Sequence, residues 1–390
     1  MPLIAGHHDI IIPPINEDDH TMGPSIKDYV SQRLHQDIRQ RVWRTIHVMP
    51  SFQRPPDATL STWETDRSRT PFNCQRPTTR ILDENTIQLH CFPSPSYVRH
   101  YADIAATYLQ WHIDQTFRTH VCLEICSMDI LREALQQSNL SGCPVSDVIV
   151  LGEVHQLYGL QASPSLNIIP ALGSSENTAN NALDDKELFS WTVLRALDGR
   201  KVTLLGCKEG LWGETAGEVL NVLAQASKAR SFLYIGKVGA LSREFAPNSA
   251  IVTGNKAYMA TAEPISRASE DLILVSWQNS LAEAVKSVET DIRIADGIIV
   301  SVESPLIESQ QWLTQWQDKS DWVDCETAHI ASAAVKCGVH LGYLHVVSDN
   351  LAYQHKDNLS NELKQTVIDR RRPLYKLIET IIVRFLELHK

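Results

Sequence analysis

The sequence predicts an α/β fold, and three observations predict it. Short apolar or β-branched runs such as Val148–Leu151, Lys201–Leu205 and Gly297–Val302 recur from Asp147 onward. Between them lie stretches with helical spacing, among them about Thr215 to Ala226 and Ser280–Val288, and this alternation argues for one sheet covered by helices on both sides. The third observation is Asp321–Leu351, in which a helix start, a helix and a buried strand follow one another and end on Asp349.

In that stretch Glu326 opens the helix, and Ala328, Ala331, Ala333 and Ala334 give it a slim flank that lies close against a sheet. Gly338 stops it, because glycine takes the left-handed conformation that helix ends need. Leu341–Val347 is an apolar run suited to a strand covered on both faces. Ser348, Asp349 and Asn350 then leave the strand at its carboxyl end, where open α/β sheets keep their sites. Taken alone, Glu326 and Asp349 read equally well as a helix-opening acid and a turn aspartate.

The chain has 390 residues, which fits one large or two unequal domains. With 43% hydrophobic residues it can bury a sizeable core. A formal net charge of −10 argues against general nucleic-acid binding, which needs a basic face to displace counterions. No apolar run approaches bilayer-spanning length, and the first residues lack the basic-then-apolar pattern of a signal peptide. The eight cysteines are scattered in apolar contexts and read as reduced thiols of a cytoplasmic protein. His7-His8 and the histidines at 112 and 120 lack metal-site spacing, so no metal is expected.

Residues 1–146 are expected to form an α-rich N-terminal extension without an assigned function. A helix is predicted over about Ser25–Thr45, where Ile26, Val30, Leu34, Ile38 and Val42 recur every four residues. Two short strands follow at Thr79–Leu82 and Thr86–Phe92. Residues 97–120 read as a helix with an apolar and aromatic stripe including Tyr101, Tyr108, Trp111 and Phe117. Val121–Ile125 reads as a strand and Ser127–Gln137 as a helix.

From residue 147 to 390 the α/β pattern holds. Ser163–Asp185, rich in Ser, Asn and Pro, reads as a long loop. Strands are predicted around Leu233, Ile251 and Leu272–Ser276, and helices around Ser309–Gln317 and Pro373–Leu388. Arg370-Arg371-Arg372 reads as a solvated charge run before the last helix. Trp212 and Tyr258 are candidates for stacking on a ring, although isolated aromatics more often only pack.

Phe232–Ser242 is a strand running into Gly236-Lys237-Val238-Gly239, followed later by Val323-Asp324-Cys325-Glu326-Thr327-Ala328 and then by Val346-Val347-Ser348-Asp349. In this order and spacing, the trio resembles the purine nucleoside/uridine phosphorylase superfamily, which also contains the nucleosidases. The resemblance runs from about Asp147 to the C-terminus. It implies a mixed, partly closed central sheet flanked by helices, and cleavage of the N-glycosidic bond of a nucleoside or nucleoside-like compound. It also implies a homo-oligomer and no cofactor beyond phosphate as a co-substrate; no nucleic-acid or membrane partner is expected.

Cleavage of that bond needs an acid at the leaving base, an acceptor for the sugar hydroxyls and a nucleophile under the anomeric carbon. The resemblance gives Asp349, with Ser348 beside it, the first role and Glu326, with Cys325 against the sugar, the second. For the nucleophile this chain departs from the phosphorylase pattern. Tyr234 stands where the purine phosphorylases have arginine and Lys237 where they have serine, and Glu153 and His155 follow the first strand with no arginine nearby. One lysine binds phosphate as a point charge, not as a fork. Glu153 is placed comparably to the water-activating glutamate of the nucleosidases, which tilts the expectation toward hydrolysis. Gly236 and Gly239 are expected to form a turn that presents its N–H groups beside Lys237. A nucleoside-binding protein without turnover, or a relative diverted to other chemistry in a specialised pathway, stays open, because a fold does not fix a function.

Overall fold

A computed structural model describes residues 8–9, 15–62, 72–112, 119–168, 187–260 and 272–389. The histidine at 7, Phe117 and most of the loop expected over 163–185 lie outside these residues. The N-terminal part runs β1 (His8–Asp9), α1 (Ser25–Arg33), α2 (Gln36–Arg39), β2 (Thr45–Pro50), β3 (Thr78–Ile81), β4 (Thr86–Cys91), α3 (Pro95–His112), β5 (His120–Leu123) and α4 (Met128–Gln137). Its expected helices are present, and they share it with a five-stranded sheet in the order β1-β5-β2-β4-β3. The helix predicted over Ser25–Thr45 is broken. Leu34 is extended at φ −74 and ψ 131, and His35 restarts a short helix by accepting from the Asp37 N–H. Thr45–Pro50 then alternates half-buried and buried residues as a strand between β4 and β5.

The second part supplies β6 (Val148–Gly152), α5 (Tyr158–Gln161), β7 (Leu166–Ile168), β8 (Phe189–Ala196), β9 (Lys201–Cys207), α6 (Glu214–Ala226), β10 (Ser231–Ala240) and β11 (Ala250–Met259). It continues with β12 (Ile273–Ser276), α7 (Ala282–Ser287), β13 (Arg293–Ser301), α8 (Gln310–Trp316), β14 (Trp322–Asp324), α9 (Thr327–Cys337), β15 (His340–Asn350) and α10 (Gln365–Leu388). The sheet is mixed and partly closed. β10 pairs in parallel with β15, β15 antiparallel with β11, β11 in parallel with β13, β13 in parallel with β14, and β14 antiparallel with β10. Those five strands close a ring, and β6, β9, β8 and β7 continue it as an open wing from β10.

Two of the cores cover opposite faces of β6, β10 and β15. Val148, Val150, Leu233, Ile235, Leu344 and Val346 pack against Leu374, Ile378, Ile381 and Phe385 of α10. On the other face, Ile149, Leu151, Phe232 and Tyr234 join α6, α9 and the N-terminal elements in one continuous core. The strands carrying the site are therefore apolar on both sides, as buried parallel strands are. Gly338 closes α9 at φ 66, in the left-handed conformation expected of it. The last helix starts earlier than predicted, at Gln365, and runs through Pro373. No helix among the described residues is long and apolar enough to cross a membrane.

Two sequence expectations at the site are corrected. Residues 236–239 are not a turn. They lie inside β10, whose backbone is paired to β15 from Ser231 to Ala240, with a register shift between Val238 and Gly239. The β15 ladder holds this backbone extended along one edge, so the glycines do not turn the chain, and Lys237 lines the cavity from within the strand. Likewise Asp349 does not follow β15 but is its second-last residue.

Gly152 ends β6 at φ +94, and a Cβ there would sit 2.1 Å from the Ile235 carbonyl oxygen. That same oxygen accepts the Glu153 N–H at 2.9 Å, so the glycine aims the next residue. Gly152→Ala is expected to lower unfolding stability by about 1–3 kcal/mol, read from the urea midpoint. An unchanged midpoint would show that the backbone can turn there without glycine.

Candidate active site

Asp349, Glu153, Glu326, Cys325, Lys237, Gly236, Gly239, Tyr234 and Ser348, all singled out from the sequence, line one cavity. Its volume is about 170 Å³, against the roughly 10–15 Å³ that one water needs, so it has room for part of an organic molecule. β6, β10, β14 and β15 deliver these side chains to one end of the ring.

At the start of α9 two acids divide the work. Asp324 caps the helix: its Oδ2 accepts the Thr327 N–H at 2.9 Å and the Thr327 hydroxyl, and its Oδ1 accepts from Ser301 Oγ at 2.5 Å. Burial raises its carboxyl to about 6, against the pull of those hydrogen bonds. Glu326 makes no capping bond. Its Oε2 instead accepts from the Tyr234 hydroxyl at 3.3 Å. The cap that sequence patterning gave to Glu326 is thus made by Asp324, which leaves Glu326 facing the cavity. Burial, with Asp324 nearby, pushes the Glu326 carboxyl well above its ordinary value. Cys325 lies between the two acids and is buried.

Asp349 is buried, and its Oδ1 lies 2.6 Å from Ser348 Oγ. Burial raises its pKa against the Ser348 hydrogen bond, and Glu362 adds to the rise. Gly239 keeps this corner open, since a Cβ there would meet Leu351 Cδ1 at 2.5 Å and Asp349 Oδ2 at 3.1 Å. Glu153 behaves oppositely. Burial favours its neutral form, but Lys237 and His155 override that and hold the carboxyl below its ordinary value. Its Oε1 is 3.4 Å from Lys237 Nζ and its Oε2 is 3.6 Å from His155 Nε2.

Sequence reasoning missed four charged groups here. Lys237 Nζ also contacts Glu362 Oε2 at 2.6 Å, and Arg371 and Arg33 approach the same carboxylate at 3.8 and 3.5 Å. Arg371 corrects the expectation of a solvated run, because it is buried, whereas Arg372 beside it is 74% exposed. The signal was its spacing. Arg371 shares a helical face with Val367, Leu374 and Ile378, all buried. Arg33 likewise follows Ile26, Tyr29 and Val30 on the inner face of α1. Glu308, buried and raised by burial and by Asp349, also lines the cavity. Glu362 lies in the loop after β15 and carries no periodic signal.

The N-terminal part, left without a role by the sequence, walls the cavity with aromatic rings. Tyr97, Tyr101 and His100 of α3 and Tyr29 of α1 line it together with Trp212. His100 stacks on Trp212 at 4.6 Å, and Tyr97 lies 5.5 Å from it. Trp212 is therefore at the site, its ring N–H donating to the Glu303 carbonyl at 2.9 Å. Tyr258 instead packs on Trp316, with ring centroids 5.7 Å apart.

Fold and cavity together define an α/β protein with an acid-lined pocket where β6, β10, β14 and β15 meet. The family model described as the phosphorylase superfamily matches residues 187–383, half of the chain, and the chain belongs to that superfamily. The match includes Lys237, Glu326, Asp349, Glu362 and Arg371; Glu153 and Arg33 lie before it. Among curated proteins, the oxidoreductase cns1 of Cordyceps militaris is 27% identical over 192 residues, which is 46% of this chain but only 22% of that protein. Similar solved structures include a futalosine hydrolase mutant of Helicobacter pylori, with 16% identity and a TM-score of 0.43, covering 61% of this chain and 99% of that one. The 5′-methylthioadenosine/S-adenosylhomocysteine nucleosidase of Campylobacter jejuni has 14% identity and a TM-score of 0.44, covering 61% and 99%.

Proposed function

We propose that the protein hydrolyses the N-glycosidic bond of a nucleoside or nucleoside-like compound. The observation that carries this reading is the opposed bias of two carboxyls in one cavity: Asp349 is pushed toward its acid form and Glu153 toward its carboxylate. Pairs of carboxyls driven apart in this way mark an acid and a base. Asp349 protonates the leaving base as the bond from the anomeric carbon to nitrogen breaks and positive charge gathers on the sugar. Water then adds to the anomeric carbon and gives its proton to Glu153. Glu326 accepts from the sugar hydroxyls, and their hydrogen bonds favour its ionised form, offsetting its burial. The aromatic wall suits a planar base or an apolar sugar substituent.

Lys237 supports water over phosphate, because its ammonium already faces Glu153 and Glu362. Base release from a nucleoside panel, assayed with and without inorganic phosphate, is expected to proceed without it. Strict phosphate dependence with formation of a sugar 1-phosphate would overturn hydrolysis, and tight binding without release would make this a nucleoside-binding protein. The same reading predicts that Glu326→Gln weakens ribosides by about 1.5–3 kcal/mol more than their 2′-deoxy analogues. Equal losses for both would remove Glu326 from the sugar site.

A further inference from the structure

Three cations from three separate parts of the chain converge on one carboxylate. Lys237 of β10, Arg371 of α10 and Arg33 of α1 surround Glu362 at 2.6, 3.8 and 3.5 Å. The four side chains are only 8 to 22% exposed, so solvent does little to screen them. Glu153, 3.4 Å from Lys237, is the second acid of the group. Glu153 and Glu362 thus face three cations, with Asp349, which burial biases toward its acid form, also near Lys237 and Arg371. A network serving only to neutralise Lys237 would not need both arginines.

The donors are also incompletely used. Arg371 gives its Nε to Asn248 Oδ1 at 2.6 Å, while its Nη2 is buried with no hydrogen-bond partner among the described residues. A second cavity of about 20 Å³, room for a single water, lies against Lys237, Glu153, Glu362 and Arg371. An ammonium beside two guanidinium groups, with N–H to spare, matches the donor set that holds a tetrahedral oxyanion.

We propose that Glu362 is a built-in carboxylate occupying an oxyanion site made by Lys237, Arg33 and Arg371 beside Glu153. While Glu362 is seated, inorganic phosphate finds its place filled and a negative charge in the way. The proposal deepens the hydrolytic reading, for it gives the reason that water and not phosphate is the nucleophile. It depends on that reading only for this consequence.

The test is direct binding of inorganic phosphate to the full chain, by titration calorimetry at constant ionic strength set with chloride. Glu362→Ala, which removes both charge and bulk, is expected to bind phosphate at least about tenfold tighter than the wild type, equivalent to about 1.4 kcal/mol. Adding Lys237→Ala to that variant is expected to abolish the gain. Glu362→Gln keeps the side chain's size and removes only its charge, so it carries the test if the alanine variant does not fold. Its melting temperature is expected to rise with phosphate more than the wild type's does. Phosphate affinity unchanged in both variants, or a gain that survives Lys237→Ala, overturns the proposal. Base release is not read in this assay. Failure to bind phosphate therefore leaves hydrolysis standing, and absence of glycosidic cleavage leaves the anion site standing.

Discussion

Asp349→Asn is expected to slow base release by about 10²–10⁴ while ligand affinity stays within about tenfold. Asparagine has the shape of aspartate and keeps a hydrogen bond to the leaving base, so the docking geometry is retained. It has no proton to give at the moment the base departs with the bonding electrons. The surroundings of Asp349 suit an acid: burial disfavours its charged form, Glu308 and Glu362 are acidic neighbours, and Arg371 and Lys237 only partly oppose them. Steady-state rates on purine nucleosides, set beside equilibrium binding of the same ligands, separate the two effects. Turnover close to wild type would take Asp349 out of the reaction, and a parallel loss of binding would make it a docking residue.

What the sequence showed and what it hid divides along physical lines. The stretch from Asp321 to Leu351 was legible because its signals are local: an alanine flank, a glycine that must go left-handed, and an apolar run long enough for one strand. The ring closure was not visible in any local pattern, since it depends on β15 pairing with β10 on one side and β11 on the other. The family resemblance supplied it. Glycine punctuation misled at Gly236 and Gly239. There the missing side chains serve close packing against His345, Leu351 and Asp349 inside a strand, not a change of direction. Charge was the least legible property. Arg33 and Arg371 sit on helical faces otherwise apolar; Arg371 reads as part of a solvated run and Arg33 draws no reading, because their partner Glu362 lies in a loop and is remote in sequence from Arg33. The site therefore looked like one lysine when it is three cations around a carboxylate. The N-terminal part hid its role for the same reason, because Tyr29 and Tyr97 meet Trp212 and the cavity only through tertiary packing.

Glu153→Gln is expected to cost about 10²–10⁴ in turnover as well, and to change the pH profile in a way that Asp349→Asn does not. In the proposed hydrolysis Glu153 works as carboxylate and Asp349 as acid. Burial works to raise the Glu153 pKa, yet Lys237 and His155 bring it below the ordinary glutamate value, so the carboxylate persists to lower pH than usual. Activity is lost on the acid side as pH falls through that lowered value. Burial raises the Asp349 pKa above the ordinary aspartate value, so its acid form persists to higher pH than usual. Activity is lost on the other side as pH rises through that raised value. On that mechanism kcat/KM is expected to carry an acid limb set by Glu153 and an alkaline limb set by Asp349. In Glu153→Gln the acid limb should disappear and the residual rate should fall only on the alkaline side; in Asp349→Asn the alkaline limb should disappear and the acid limb remain. Glutamine is also neutral beside Lys237, which keeps its 2.6 Å contact to Glu362, so the local fold has a remaining partner and the comparison reads chemistry. Wild-type turnover in Glu153→Gln, or an acid limb that survives the substitution, would show that another group takes the proton from water.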